Sequence, residues 1–168
     1  MKTLWAPWRV EYILSGVKEN GCIFCPRENE NLTERTILFV GKRTLVMMNK
    51  YPYINGHLLV APLRHVAAPD QLEPEEMIAL MTMVSHSINI LKKVMKADGT
   101  NVGLNLGKVA GAGVEDHLHF HVVPRWQGDT NFMTVFGDLR VIPEHLGQTY
   151  LRLLPFFKKV EEDSVADR

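Results

Sequence analysis

Apolar and polar positions along this chain keep two different periods, and the switches between them outline its elements. Two β-rich runs, 36–40 and 44–49, flank Gly41-Lys42-Arg43, a link whose length and residues predict a hairpin. A loop, Tyr51-Pro52-Tyr53-Ile54-Asn55-Gly56, leads into a third strand over 57–62 that Pro62 closes. From 74 to 97 the period lengthens: Met77, Leu80, Met81, Val84, Ile88, Leu91 and Met95 recur at three and four. That spacing predicts one long helix with these side chains in the core, Pro74 in its first turn and Gly99 at its stop. Two further strands, 101–107 and 117–123, are joined by a loop carrying Gly107, Gly111 and Gly113. Past Trp126 the pattern weakens. Residues 130–141 read as loop or strand, 143–154 as a short helix, and 158–168 as a charged, fraying tail. The first twenty residues, mixed and aromatic, predict an arm or short helix.

The order β-β-β-α-β-β with short links predicts an α+β fold, a mainly antiparallel five-stranded sheet with one long helix packed on it. At 168 residues, 46% hydrophobic and 23% charged, the chain suits a single domain over 1–168, with an arm at 1–20 and a C-terminal extension at 127–168. Lys plus Arg and Asp plus Glu number 19 each, a balance that points away from nucleic acid or a membrane surface as partner. The start of the chain, through Trp5-Ala6-Pro7-Trp8-Arg9, lacks the apolar stretch of a signal peptide. No apolar run reaches membrane-spanning length, so a cytoplasmic location is expected.

Within 117–123 the chemistry concentrates. His117, His119 and His121 alternate with Leu118, Phe120 and Val122, so on a strand all three imidazoles share one face about 7 Å apart while the apolar residues fill the other. Imidazole can be nucleophile, proton carrier or metal ligand near neutral pH, and a packed core has no need of three in register. A structural zinc site on the strand or a fortuitously polar sheet face is the bland alternative. The only two cysteines, Cys22 and Cys25, form one Cys-Ile-Phe-Cys, spaced for a shared zinc but two ligands short of a tetrahedron; two buried apolar thiols are the alternative.

His117-Leu118-His119-Phe120-His121-Val122-Val123 resembles the motif of the histidine-triad (HIT) superfamily of nucleotide hydrolases and nucleotidyl transferases. Asn49 with Gly56-His57-Leu58-Leu59-Val60, and Asn105-Leu106-Gly107 with the glycine-rich loop, are similar to its other blocks, in the same order, across about 36–125. Val123-Pro124-Arg125-Trp126, the Trp5–Arg9 segment and Arg140-Val141-Ile142-Pro143-Glu144 look most like the diadenosine tetraphosphate phosphorylase and fragile-histidine-triad branch.

The resemblance implies one HIT domain acting on an adenine nucleotide, diadenosine polyphosphates first among them, as a homodimer. It places the nucleophile on His119, with a nucleotidyl-histidine intermediate and retention at phosphorus, and puts His121 and His57 on phosphate oxygens and the leaving group. Asn49 would touch the ribose, Asn105 the phosphates, and the loop from Gly107 to Gly113 would add backbone donors; both asparagines also suit plain turns. In several branches, including galactose-1-phosphate uridylyltransferases, the cysteine pair is completed by positions matching His65 and His117, which implies a structural zinc at Cys22, Cys25, His65 and His117. Two other readings stay open: a zinc hydrolase whose three histidines hold the metal, and a nucleoside monophosphate-binding module of low turnover. Trp5, Trp8 and Trp126 suit packing more than adenine stacking, and His86 and His145 need no role.

Overall fold

The computed structural model describes residues 21–27, 30–129 and 142–166. The arm at 1–20, with Trp5 and Trp8, and the segment 130–141 lie outside them. Five strands form one sheet: β1 (Ile37–Val40), β2 (Thr44–Met48), β3 (Leu58–Pro62), β4 (Gly99–Leu104) and β5 (Phe120–Arg125), in the order β1-β2-β3-β5-β4 with every pair antiparallel. Helices α1 (Pro74–Met95) and α2 (Leu146–Ala166) pack on it. The α+β architecture is the expected one, with a second helix where a short one is predicted.

The sheet is apolar on both faces, which is why β2 and β3 read as unbroken apolar runs. Val46, Met48, Leu58, Val60 and Val122 point to the helices and meet Leu80, Val84, Leu91, Leu153 and Phe157. Leu45, Met47, Leu59 and Ala61 point the other way and form a second cluster around Phe24. The turn before β3 is tied to this packing: Gly56 has φ +80°, and a Cβ there would lie 2.5 Å from Met95 Sδ of α1. Glycine is needed on both counts, and the backbone next to His57 is thereby seated against α1.

Helix α1 begins as expected, with Pro74 in the first turn and the Glu76 carboxylate accepting the Glu73 N–H at 2.9 Å. It ends earlier than predicted, at a left-handed Lys96, because Gly99 is already paired with Arg125 in β4. Its buried face runs through Leu80, Met83, Val84, Ser87, Ile90 and Leu91; Met81, expected in the core, is 45% exposed. Trp126 closes the helix end, its Nε1–H donating to the Met95 carbonyl at 3.2 Å.

Helix α2 overrides the sequence signal most clearly. It runs past the predicted end at 154, through Pro155, and carries on into the segment expected to fray. Pro155 and Leu151, whose carbonyl loses its helical donor, are both on the exposed side, while Tyr150, Leu153 and Phe157 are buried. Water can satisfy the freed carbonyl, and burial of three large side chains outweighs the lost bond. His145 starts this helix, its Nδ1 accepting the Gly147 N–H at 3.3 Å. Buried Thr149 docks α2 beside the loop before β3: its Oγ1 lies 3.0 Å from Asn55 Oδ1 and 2.7 Å from Glu144 Oε2, and Arg152 pairs with Glu144. No helix among the described residues is long and apolar enough to cross a membrane.

Candidate active site and metal centre

The expected strand at 117–123 starts only at Phe120. Leu118 N–H donates to the Val66 carbonyl at 2.6 Å, so His117–His119 pairs with the loop after β3 and not with the sheet ladder. The alternation of faces survives: Leu118 and Val122 enter the helix-side core, and the three histidines line the opposite side.

Hydrogen bonds fix which ring nitrogen of each histidine carries its hydrogen. His119 Nδ1 lies 2.8 Å from the carbonyl oxygen of His117. A carbonyl only accepts, so Nδ1 donates and Nε2 keeps its lone pair. At the neighbouring pair, the backbone N–H of Tyr53 reaches His57 Nδ1 at 3.2 Å and Asn49 Nδ2 stands 3.3 Å from the same atom. His57 Nδ1 is therefore an acceptor and Nε2 a donor, aimed at His121 Nδ1 2.9 Å away. His121 must then carry its hydrogen on Nε2, 3.4 Å from Asn105 Nδ2, which also reaches the Gly111 carbonyl at 3.4 Å. Two N–H donors thus stand side by side, an arrangement suited to an anion.

Burial keeps the cluster uncharged. Desolvation, followed by the proximity of His121 and His119, pushes His57 down to about 3; desolvation, then His119, takes His121 to about 4. His119 and His117 are also lowered, chiefly by burial. At neutral pH His119 is accordingly a neutral imidazole with a free Nε2 lone pair, the form in which histidine attacks an electrophile.

Asn49 fulfils the turn role, its Oδ1 accepting the Tyr51 N–H at 2.9 Å, and also reaches His57. In the glycine-rich loop, Gly107 (φ +78°) and Gly111 (φ +88°) hold conformations that favour glycine, whereas Gly113 is exposed with open space around it and gives no conformational reason for glycine. Two aromatic neighbours were not legible as site residues. Phe24 stacks on His119 with centroids 4.6 Å apart, and Tyr53 lies over His57 at 4.7 Å and His121 at 5.8 Å.

Cys22, Cys25, His65 and His117 meet at one point, their ligand atoms all within 4.8 Å of one another. Cys22 Sγ lies 3.3 Å from His117 Nδ1, Cys25 Sγ 3.3 Å from His65 Nδ1 and 3.7 Å from His117 Nδ1, and the two Nδ1 atoms are 3.2 Å apart. Ligands at zinc–nitrogen and zinc–sulfur bond lengths around a tetrahedral ion stand roughly 3.3–3.8 Å from each other, so the set fits a metal of that size and softness. His117 Nε2 donates to the Pro62 carbonyl at 2.8 Å, which turns its Nδ1 lone pair toward the group. The Phe24 N–H points at Cys22 Sγ at 3.4 Å, and Arg35 binds the Ile23 and Cys25 carbonyls, holding the cysteine turn. Among the described residues this is the one His, Cys, Asp and Glu group close enough to share an ion; the three triad histidines do not converge on such a point.

Comparison with known proteins agrees with this geometry. The HIT domain model matches residues 31–128. The AP-4-A phosphorylase of Mycobacterium tuberculosis is 38% identical over 157 residues, covering 89% of this chain and 80% of that protein. The asymmetrical bis(5'-nucleosyl)-tetraphosphatase of Schizosaccharomyces pombe is 31% identical over 116 residues, 68% of this chain and 63% of its own. Among solved structures, a hypothetical histidine triad nucleotide-binding protein from Sulfolobus tokodaii superposes with a TM-score of 0.62 at 25% identity, covering 84% of this chain and 93% of that one. A zinc-bound histidine triad family protein from Mycobacterium smegmatis gives 0.61 at 24%, covering 76% and 87%, and shares the fold. With the family model spanning more than half of the sequence and its motif histidines gathered at one site, this chain belongs to the histidine-triad (HIT) family.

Proposed function

We propose that this protein cleaves diadenosine polyphosphates at an α-phosphate, transferring the nucleotidyl group through His119. The observation that carries the reading is the 2.8 Å bond from His119 Nδ1 to the His117 carbonyl, which leaves Nε2 of a neutral ring as the attacking lone pair. In the first step Nε2 forms a bond to the α-phosphorus as the bond to the bridging oxygen breaks, and the polyphosphate leaves with that electron pair. In the second, an acceptor oxygen attacks the same phosphorus, the N–P bond breaks, and the lone pair returns to Nε2. Two inversions give net retention. His121 Nε2–H and the Asn105 amide donate to phosphate oxygens as charge builds, and His57 holds His121 in the tautomer that can donate. Asn49, beside His57, contacts the ribose, and the backbone between Gly107 and Gly113 adds donors.

Relatives named AP-4-A phosphorylase and bis(5'-nucleosyl)-tetraphosphatase support the substrate class, and the longer match to the former favours inorganic phosphate as acceptor. Incubation with diadenosine tetraphosphate, with and without phosphate, tests this. Phosphorolysis gives ADP and ATP, hydrolysis gives AMP and ATP, and no cleavage under either condition removes the reading. The donor set of Cys22, Cys25, His65 and His117 suits a structural zinc that fixes the segment before His119. We also propose a cytoplasmic homodimer, for which β4, an edge strand of the sheet among the described residues and largely exposed, offers a surface.

A further inference from the structure

We propose that Phe24 is a positioning residue that transmits the state of the cysteine turn to the imidazole of His119. This inference rests on the nucleophilic role proposed for His119. One hydrogen bond from Nδ1 fixes the tautomer of His119 but leaves the ring free to swing about the N–H···O axis. A flat contact on the ring face removes that freedom. Phe24 supplies it: the two rings stack at 4.6 Å with 27° between their planes. The same phenyl ring leans on His117, 5.2 Å away, so it touches a metal-ligand candidate and the candidate nucleophile at once.

The backbone makes the ring answer to the cysteines. Phe24 sits between Cys22 and Cys25 in a turn closed by Cys25 N–H to the Cys22 carbonyl at 3.3 Å, with its own N–H on Cys22 Sγ. Drawing the two thiols onto a common ion therefore sets where the phenyl ring stands. Behind it, Ile37, Leu45, Met47, Leu59 and Ala61 form a packed wall, and Phe24 is 0% exposed, so the ring cannot retreat. A nucleophile misplaced by about 1 Å costs on the order of a hundredfold in rate, which is the size of effect such a wedge can govern.

Phe24→Leu and Phe24→Met test the inference, since both keep apolar bulk and lose the flat face. Each is expected to bind one zinc and to bind AMP within about threefold of wild type, while single-turnover formation of the nucleotidyl adduct slows ~10- to 100-fold. Metal removal by chelation, reversed by adding zinc back, should slow adduct formation in wild type and slow it by a clearly smaller factor in Phe24→Leu, because the part of the metal's effect that passes through Phe24 is already lost there while the part through the His117 carbonyl remains. Independently of activity, the His119 Cε1–H resonance should move on chelation in wild type and move markedly less in Phe24→Leu, where only the path through the His117 carbonyl is left. Unchanged adduct rates in both variants overturn the proposal. So do effects of the variant and of metal removal that multiply, a His119 resonance indifferent to the metal, or a wild-type chain that takes up no zinc. A wild type that forms no adduct while its His119 resonance still follows the metal instead discards the nucleotidyl-transfer reading and leaves the wedge standing.

Discussion

His57 Nε2 donates to His121 Nδ1 across 2.9 Å, joining the loop before β3 to β5 over 64 residues of sequence. Burial above all, with His121 and His119 acting on His57 and His119 acting on His121, holds the two rings neutral, His57 at about 3 and His121 at about 4 against an ordinary value of 6.5. In the unfolded chain both titrate near the ordinary value. Between pH 6.5 and about 4 the unfolded state therefore binds protons that the native state refuses, and stability falls as pH drops through that window. Denaturant midpoints measured from pH 7.5 down to 4.5 should decline in wild type and decline less steeply in His57→Gln. In the same range kcat/KM should show no acid limb centred near 6.5.

His119→Ala is expected to abolish turnover and adduct formation while nucleotide affinity stays within about tenfold, because the nucleophile is lost and little binding surface goes with it. Rapid-quench trapping should find an acid-labile nucleotidyl adduct on wild type alone. Normal turnover in the variant would end the covalent mechanism.

Elemental analysis of protein purified without added metal should return close to one zinc per chain. Cys22→Ser removes one of four ligands that meet within 4.8 Å, so it should lose both the metal and thermal stability. Metal-free protein with an unchanged melting temperature would reject the site.

Asn105→Ala should lower turnover by a similar factor for adenosine and guanosine substrates, since its amide stands beside the His121 donor and not at a base. A loss confined to one base would move this residue, and the glycine-rich loop with it, into the nucleoside pocket.

Thr149→Val keeps the shape of a fully buried residue but deletes the hydroxyl that meets Asn55 and Glu144. Leaving those polar groups short of a partner is expected to cost about 1–3 kcal/mol, read as a lower denaturant midpoint at unchanged slope. An effect below a few tenths of a kcal/mol would mean that α2 is docked by its apolar face alone.

By itself the sequence determined what depends on local period. Strands β1 to β3, helix α1 and the shared face of the three histidines follow from alternation at two and recurrence at three and four, which the backbone imposes wherever a segment lies. The paired cysteines were equally legible as half of a metal site, and the motif resemblance supplied His65 as a partner. Tertiary structure decided the rest. β5 starts at Phe120 because Leu118 N–H finds the Val66 carbonyl, and α2 passes Pro155 because Tyr150, Leu153 and Phe157 have a sheet to bury against. The tautomers of His57, His119 and His121 depend on acceptors and donors brought from the β2–β3 loop and from the backbone before β5. Phe24 became a neighbour of His119 only when the chain folded 95 residues back on itself. Such contacts join segments that share no period, so no window of the sequence contains them.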